Sequence, residues 1–293
     1  MQVIEHPVER LHTALLSTRK DLIKTFQKFS RAEKTLLEDG LLPGNSLFSP
    51  ITIHSDSDWI PSHPEDPQDF QSFYINPYRR SPKRGHKTIY IQTIGELLNF
   101  LKQIKPSDAF CIVGITMIDL YPKESWNFVF GQASLTKGMG VFSFARYDDH
   151  FYERSYTGRL KKKIELKQGD YSVFENYYTP PITSVLLLRS CKTLTHEIGH
   201  IFGMEHCQWL NCVMQGSNHL QESDRRTLVL CPICLRKLQS AIGFKIADRY
   251  KALLHWIEDG ADSNGQHSKP TQAFQEYKDW FYKCLRILES DTS

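Results

Sequence analysis

The chain has 293 residues, enough for about two domains. Hydrophobic residues make up 40% of it, and 36 Lys and Arg against 33 Asp and Glu leave a formal net charge of +3. This composition excludes a mostly disordered chain, and the small net charge gives no reason to expect a nucleic-acid or membrane partner. No apolar run is long enough to span a membrane, and the first twenty residues lack the apolar block of a secretory signal. We therefore expect an intracellular protein, cytoplasmic or nuclear, that is not secreted.

The N-terminal part predicts helix followed by extended chain. Leucine and phenylalanine recur at helical spacing over residues 8–38, which predicts an amphipathic helix or a helical pair. Residues 43–82 hold half of the 14 prolines. Because proline fixes φ and lacks an amide donor, this segment is predicted to be an extended linker without helices.

An alternation of strands and a helix begins near residue 87. Four strands are predicted, over Thr88–Ile94, Phe110–Thr116, Trp126–Gly131 and Met139–Arg146. A short helix over Glu96–Ile104 separates the first two. This order predicts an α+β fold, a mixed sheet with helices. The basic stretch 159–167 is predicted to be a solvated loop.

The C-terminal part is predominantly helical. Thr183 or Ser184 can cap a helix that runs to about Phe202, and Gly203 can end it in the left-handed conformation. Residues 235–257 are mostly helical in pattern, and a last helix follows a polar linker.

Three histidines with metal-ligand spacing follow within that first helix and its exit. His196 and His200 are four residues apart, so their imidazoles point the same way on a helix. A turn at Gly203 can bring His206 back as a third ligand, which leaves one zinc position open for water. Glu197 need not coordinate and can act on that water. A five-residue HExxH match also arises by chance on ordinary helices, but the eleven-residue form is much more specific.

Four of the seven cysteines form a second cluster. They lie as two short-spaced pairs, Cys207 with Cys212 and Cys231 with Cys234. Two such pairs can close a tetrahedron around a second, structural zinc, and four unrelated buried thiols are the alternative. Met214 follows the histidine motif, and we expect it to form a hydrophobic floor beneath the first zinc rather than ordinary core filling.

The combined pattern HExxHxxGxxHCxxxxCxM…CxxC resembles the archaemetzincins, a branch of the metzincin zinc peptidases. The resemblance covers His196 to Cys234 and implies a peptidase domain with an upper sheet-and-helix subdomain, a cleft and a lower subdomain that starts after Gly203. It implies aminopeptidase-like cleavage of peptides, with His196, His200 and His206 on the catalytic zinc and Glu197 as general base. It also implies that the four cysteines hold a second Zn²⁺ and that Met214 is the Met-turn residue. The single short helix after the first strand suggests a shortened upper subdomain.

Two other functions remain open at this stage. The motif can persist as scaffold in a catalytically weak or inactive zinc-stabilised interaction protein, whose partner binds the N-terminal helix or the Pro-rich segment. Nucleic-acid binding through the cysteine zinc has little support, because few basic residues and no aromatic platform accompany it. We expect a peptide or protein as substrate, with no nucleic-acid or membrane partner. The sequence does not indicate an oligomeric state.

The chain is thus predicted to have five parts. They are a helical region (1–42), a Pro-rich linker (43–86), a metzincin-like zinc peptidase domain (87–257) with the second zinc site at 207–234, a polar linker (258–271) and a C-terminal helix (272–293). Within the peptidase domain, Met139–Arg146 is the candidate edge strand along which a substrate peptide can pair, with an ordinary interior strand as the alternative.

Overall fold

The structure, a computed structural model, describes residues 1–93, 98–120, 128–134, 137–153, 180–259 and 270–290. The strands are β1 (Gln2–Ile4), β2 (Ile51–Ile53), β3 (Thr88–Thr93), β4 (Ala109–Thr116), β5 (Gly131–Ser134) and β6 (Met139–Ser143). The helices are α1 (Val8–Leu16), α2 (Lys20–Gln27), α3 (Arg31–Asp39), α4 (Trp59–Ser62), α5 (Phe70–Ile75), α6 (Leu98–Ile104), α7 (Ser184–Ile201), α8 (Leu220–Arg225), α9 (Pro232–Ile242), α10 (Ile246–Glu258) and α11 (Gln275–Glu289).

The chain divides into two compact units, which we call the sheet unit (Pro82–Ile201) and the helical unit (Met1–Ser81 with Phe202–Ser293). Helices together with a mixed sheet confirm the predicted α+β class. None of the described helices is long and apolar enough to cross a bilayer. The five-part division of the sequence stays a prediction.

The sheet unit contains four strands in the order β3-β4-β6-β5. β3, β4 and β6 run parallel, and β5 pairs antiparallel with β6. The prediction that Met139–Arg146 forms an edge strand is therefore wrong, because β6 lies between β4 and β5. All five residues of β6 are buried, which is typical of an interior strand covered on both faces.

Two of the segments predicted in the sheet unit lie partly or wholly outside the described residues. The strand expected over Trp126–Gly131 is displaced, since β5 begins at Gly131, and residues 121–127 lie outside the described part. The basic stretch 159–167 also lies outside the described residues. The strands predicted from Thr88 and from Phe110 are confirmed as β3 and β4.

The helical unit brings the two ends of the chain together. α9 contacts α1, α3 and α5, while α11 packs against α3 and α10. At the centre of these contacts the buried Arg236 guanidinium donates to the carbonyl oxygens of Leu15 and Leu22 and lies 3.7 Å from the ring centre of Phe70. The Arg236 side chain on α9 thus caps the C-terminal end of α1, which lies more than two hundred residues earlier in the chain.

The Pro-rich segment is more ordered than predicted. It contains β2, α4 and α5, so the expectation of a linker without helices is wrong at residues 59–62 and 70–75. Pro61 sits within the first turn of α4, where a missing amide hydrogen costs no intrahelical bond. Asp69 caps α5 by accepting a 2.6 Å hydrogen bond from the Ser72 amide.

Candidate metal centre

Helix α7 carries the first two histidines and is held at its N-terminus and near its middle. Its N-terminus is capped by Thr183, whose hydroxyl accepts from the Leu186 amide at 3.1 Å. Near its middle, the Thr193 hydroxyl makes a short hydrogen bond with the Tyr147 hydroxyl, and Arg189 donates to the Tyr147 carbonyl at 2.8 Å. The helix packs on β5 and β6, so the sheet sets the position of its histidine-bearing end.

His196 and His200 face each other across one turn of α7. Their Nε2 atoms are 3.0 Å apart, and their rings are perpendicular with centroids 4.6 Å apart. Two nitrogens bound to one zinc at ~2.0–2.1 Å in a tetrahedron lie roughly 3.3 Å apart. The pair therefore presents two ring nitrogens at about the separation that one ion requires, as the four-residue spacing predicts.

Glu197 lies beside this pair and faces the start of β5. A Cβ added to Gly131 would lie 3.1 Å from the Glu197 Oε1 and 2.3 Å from the Phe142 ring. Only a glycine at position 131 leaves room for both side chains. The structure thus places the carboxylate against the first residue of β5.

His206 belongs to the helical unit and follows a sharp turn. Gly203 has φ +96°, the left-handed conformation that the sequence predicted there. A Cβ at this position would lie 2.9 Å from the Arg79 Cα, so the close approach of the backbone also requires glycine. The Arg80 amide donates to the Phe202 carbonyl at 3.2 Å, which ties the Pro-rich segment to the start of the turn.

Glu65 of the Pro-rich segment contacts the His206 ring. Its two carboxylate oxygens lie 3.0 and 3.1 Å from the His206 Nδ1. Burial raises the pKa of Glu65, but the hydrogen bonds from His206 and Gln208 contribute to outweighing it, and that pKa lies below its ordinary value. Because a carboxylate accepts and does not donate, the hydrogen bond between the two groups has its proton on the Nδ1 of His206.

The four cysteines converge within the helical unit. Their sulfur atoms all lie within 4.8 Å of one another, and the Sγ atoms of Cys207 and Cys231 are 3.7 Å apart. Four sulfurs around one zinc at ~2.3 Å lie roughly 3.8 Å apart, so this spacing fits a closed Cys₄ site. The sulfur of Cys212 also accepts from the amides of Met214 and Cys231 at 3.4 and 3.3 Å.

Three of these thiols have shifted pKa values, and the shifts differ in direction. Hydrogen bonds from the other three thiols hold the pKa of Cys207 well below its usual value, whereas burial raises the pKa of Cys212 and of Cys231. A group of fully buried thiols suits a divalent cation, because the cation compensates the thiolate charge that burial disfavours.

Met214 is fully buried and connects the cysteine cluster to the histidine turn. Its carbonyl accepts a 2.8 Å hydrogen bond from the Cys207 amide, directly after His206. The backbone that carries the third histidine is therefore joined to the backbone that carries Met214.

Comparison with known proteins defines the class of this protein. Residues 130–240 match the family model described as peptidase family M54, and the chain is a zinc metallopeptidase. It is 49% identical to human archaemetzincin-2, over 99% of this chain and 100% of that protein. It is also 30% identical to human archaemetzincin-1, over 85% of this chain and 62% of that protein. The chain belongs to the archaemetzincin family, as its motif indicated.

The alignment to human archaemetzincin-2 spans 359 positions, more than the 293 residues of this chain, so it contains gaps in this chain. The solved archaemetzincin from Methanopyrus kandleri is 22% identical, over 55% of this chain and 97% of that one, with a TM-score of 0.38.

Several residues near the histidine turn were missed by the sequence analysis. Glu65, Gln68 and Trp59 lie in the Pro-rich segment, and Lys237 lies on α9. None belongs to a metal-binding motif. The first three contact residues 203–209 and Lys237 contacts Gln68, and all of these contacts join positions far apart in the chain. The aromatic content of the Pro-rich segment was the one sign that it packs on a surface.

Proposed function

We propose that this zinc metallopeptidase holds its catalytic zinc with His196, His200 and His206 and uses Glu197 as the general base. The observation that carries the proposal is the pair of Nε2 atoms 3.0 Å apart on α7, within the helical HExxH frame. Two observations support His206 as the third ligand. Gly203 has the left-handed conformation that turns the chain before His206. Glu65 contacts the Nδ1 of His206, so the Nε2 is the nitrogen that would bind the metal.

A zinc ion held by these three histidines would supply a Lewis acid and would lower the pKa of a water bound to it to about 7. Glu197 accepts the proton of the attacking water and then donates it to the leaving amine, so that a neutral amine departs. Its position beside the histidine pair, next to Gly131, suits this role.

We further propose a second, structural zinc on Cys207, Cys212, Cys231 and Cys234, giving two Zn²⁺ per chain. The support is the sulfur spacing, the complete burial of the cluster and the amide hydrogen bonds to its sulfurs. Met214 is proposed to form the apolar floor beneath the catalytic zinc. Its burial and its carbonyl bond to Cys207 support a role in packing rather than in ligation.

Substrate peptides are proposed to pair with the outer edge of β5. Among the described strands β5 is at the edge of the sheet, and its first residue lies against Glu197. An extended peptide added to that edge would place its main chain next to the general base. The resemblance to archaemetzincins suggests aminopeptidase-like cleavage from the free N-terminus of such a peptide.

The test combines metal analysis with a peptide-library assay. Purified wild-type protein should hold two zinc ions and cleave peptides, and Glu197→Gln should keep both ions while hydrolysis is abolished. Unchanged turnover in this variant would refute the general-base assignment. Zinc-loaded wild type without chelator-sensitive cleavage would instead indicate an inactive scaffold.

Two further variants test the metal assignments, and blocked peptides test the mode of cleavage. His200→Ala should lose one zinc and Cys231→Ala the other. If Cys231→Ala keeps both ions, the thiol site is misassigned. N-acetylated library peptides should resist cleavage if the enzyme acts as an aminopeptidase, and equal cleavage of blocked and free peptides would establish an endopeptidase.

A further inference from the structure

The His206 ring is held on two sides by the Pro-rich segment. Glu65 contacts its Nδ1 at 3.0 Å, and the Trp59 and His206 rings form a T-shaped pair with centroids 4.7 Å apart. Trp59 is itself stacked on His63, 4.1 Å away and 12° from parallel. The contacts fix the orientation of the imidazole, and the carboxylate also fixes which nitrogen is protonated.

Glu65 is held in place as well. One of its oxygens accepts from the Gln208 side-chain amide at 3.3 Å, so the carboxylate bridges two side chains of the same turn. A carboxylate that accepts from the far nitrogen of a metal-bound histidine orients the ring and makes it a better ligand.

The backbone of the turn is held by Gln68. Its side-chain nitrogen donates to the Gly203 carbonyl at 3.1 Å, and its side-chain oxygen accepts from the Glu205 amide at 3.2 Å. Its own carbonyl accepts from the Trp209 indole at 2.9 Å. One buried amide side chain thus joins both ends of the segment that precedes His206.

Gln68 is fixed in turn by a buried lysine. The Lys237 ammonium donates to the Gln68 carbonyl at 2.5 Å and to its side-chain oxygen at 3.0 Å, and the lysine is 1% exposed. Lys237 lies on α9, whose first residues include Cys234 and whose cap is Cys231. The helix that contributes two thiols to the cysteine cluster therefore also supports the histidine turn.

We propose that Glu65 and Gln68 are positioning residues for the third zinc ligand, with Lys237 holding Gln68. The Pro-rich segment is then part of the metal site rather than a linker. This inference rests on the proposed function, because the orientation of His206 affects metal binding only if His206 is a ligand.

The test measures the zinc affinity of the histidine site in the full chain, by competition with a chromogenic chelator while the cysteine site stays filled. Glu65→Ala should weaken zinc binding roughly 10- to 100-fold. Glu65→Gln should lose less, since its amide oxygen still accepts from Nδ1. Cobalt substituted at the histidine site should show an altered absorption spectrum in Glu65→Ala.

The matched control is Glu153→Gln. Glu153 contacts the Nδ1 of His150 at 2.8 Å, but this pair is exposed and belongs to the sheet unit. The control should leave zinc affinity and the cobalt spectrum unchanged. Gln68→Ala should weaken the histidine site while the cysteine site keeps its zinc, and thermal unfolding verifies that each variant folds.

His206→Ala separates failure of this inference from failure of the proposed function. Wild-type zinc affinity in His206→Ala would overturn the three-histidine site itself. If His206→Ala loses the ion while Glu65→Ala binds like the wild type, His206 is a ligand and the positioning role of Glu65 is refuted. Loss of both zinc ions in Glu65→Ala would also refute it, because Glu65 would then support the fold in general.

Discussion

The turn before His206 offers a direct test of how tightly the structure constrains the metal site. Gly203 combines a left-handed backbone with a close contact to another part of the backbone. A Cβ added there would lie 2.9 Å from the Arg79 Cα, and backbone cannot swing aside as a flexible side chain would. We therefore expect Gly203→Ala to destabilise the protein for two separable reasons.

The expected magnitude is the sum of two contributions. An alanine held at φ +96° costs about 1–2 kcal/mol relative to glycine. Forcing a methyl group into occupied space costs about 1–3 kcal/mol more. The free energy of unfolding should therefore fall by about 2–5 kcal/mol, measured by urea denaturation at saturating zinc.

Gly243→Ala measures the conformational contribution alone, so the steric contribution is the difference between Gly203→Ala and Gly243→Ala. Gly243 has φ +86°, but no atom lies within 4 Å of an added Cβ. Its substitution should cost only the conformational part, about 1–2 kcal/mol. If Gly203→Ala destabilises the protein no more than Gly243→Ala does, the contact with Arg79 is not restrictive and the reasoning fails.

Three further outcomes are expected. Cys234→Ser should release one zinc ion, which metal analysis measures, and should lower the unfolding midpoint in denaturation. Peptide cleavage by the still-folded variant should fall less than it does in His200→Ala. Burial raises the pKa of Asp58, but hydrogen bonds from the His54 amide, Arg225 and His219 outweigh it, so this pKa is lowered on folding. The contribution of Asp58 to the free energy of unfolding is therefore complete above its unfolded-state pKa of about 4 and is lost as the pH falls through its folded-state pKa. Asp58→Asn should reduce the loss of stability at acid pH, measured by denaturation at a series of pH values. Arg236→Lys should cost about 2–3 kcal/mol in the same assay, since an ammonium cannot reproduce the forked contacts of the guanidinium.

The residues of the metal motifs could be predicted because their arrangement is largely local. The four-residue spacing of His196 and His200 on a helix brings their rings close together. The turn at Gly203 could be predicted because it depends on the backbone conformation of that residue. Prediction of the cysteine site required one long-range assumption, that two short-spaced pairs of thiols bind the same ion. The four sulfur atoms lie within 4.8 Å of one another, which agrees with this assumption.

Other features depend on contacts that no local pattern encodes. Glu65 and Gln68 reach the turn across more than 130 residues, as in the hydrogen bond between Gln68 and the Glu205 amide. Strand β6 was misplaced for a related reason. A short apolar strand has the same composition in the interior and at the edge, and its neighbours are set by how distant strands pair.

The helical unit is discontinuous in sequence, and this has a consequence during synthesis. Its first part ends at Ser81, while helix α9, which buries Arg236 against Leu15 and Leu22, is made only after the whole sheet unit. At about 5–20 residues per second, ribosomes take on the order of ten seconds to translate residues 82–201. During that interval the nascent N-terminal helices have apolar faces without their final neighbours, so this is the period in which chaperones would protect the chain from aggregation.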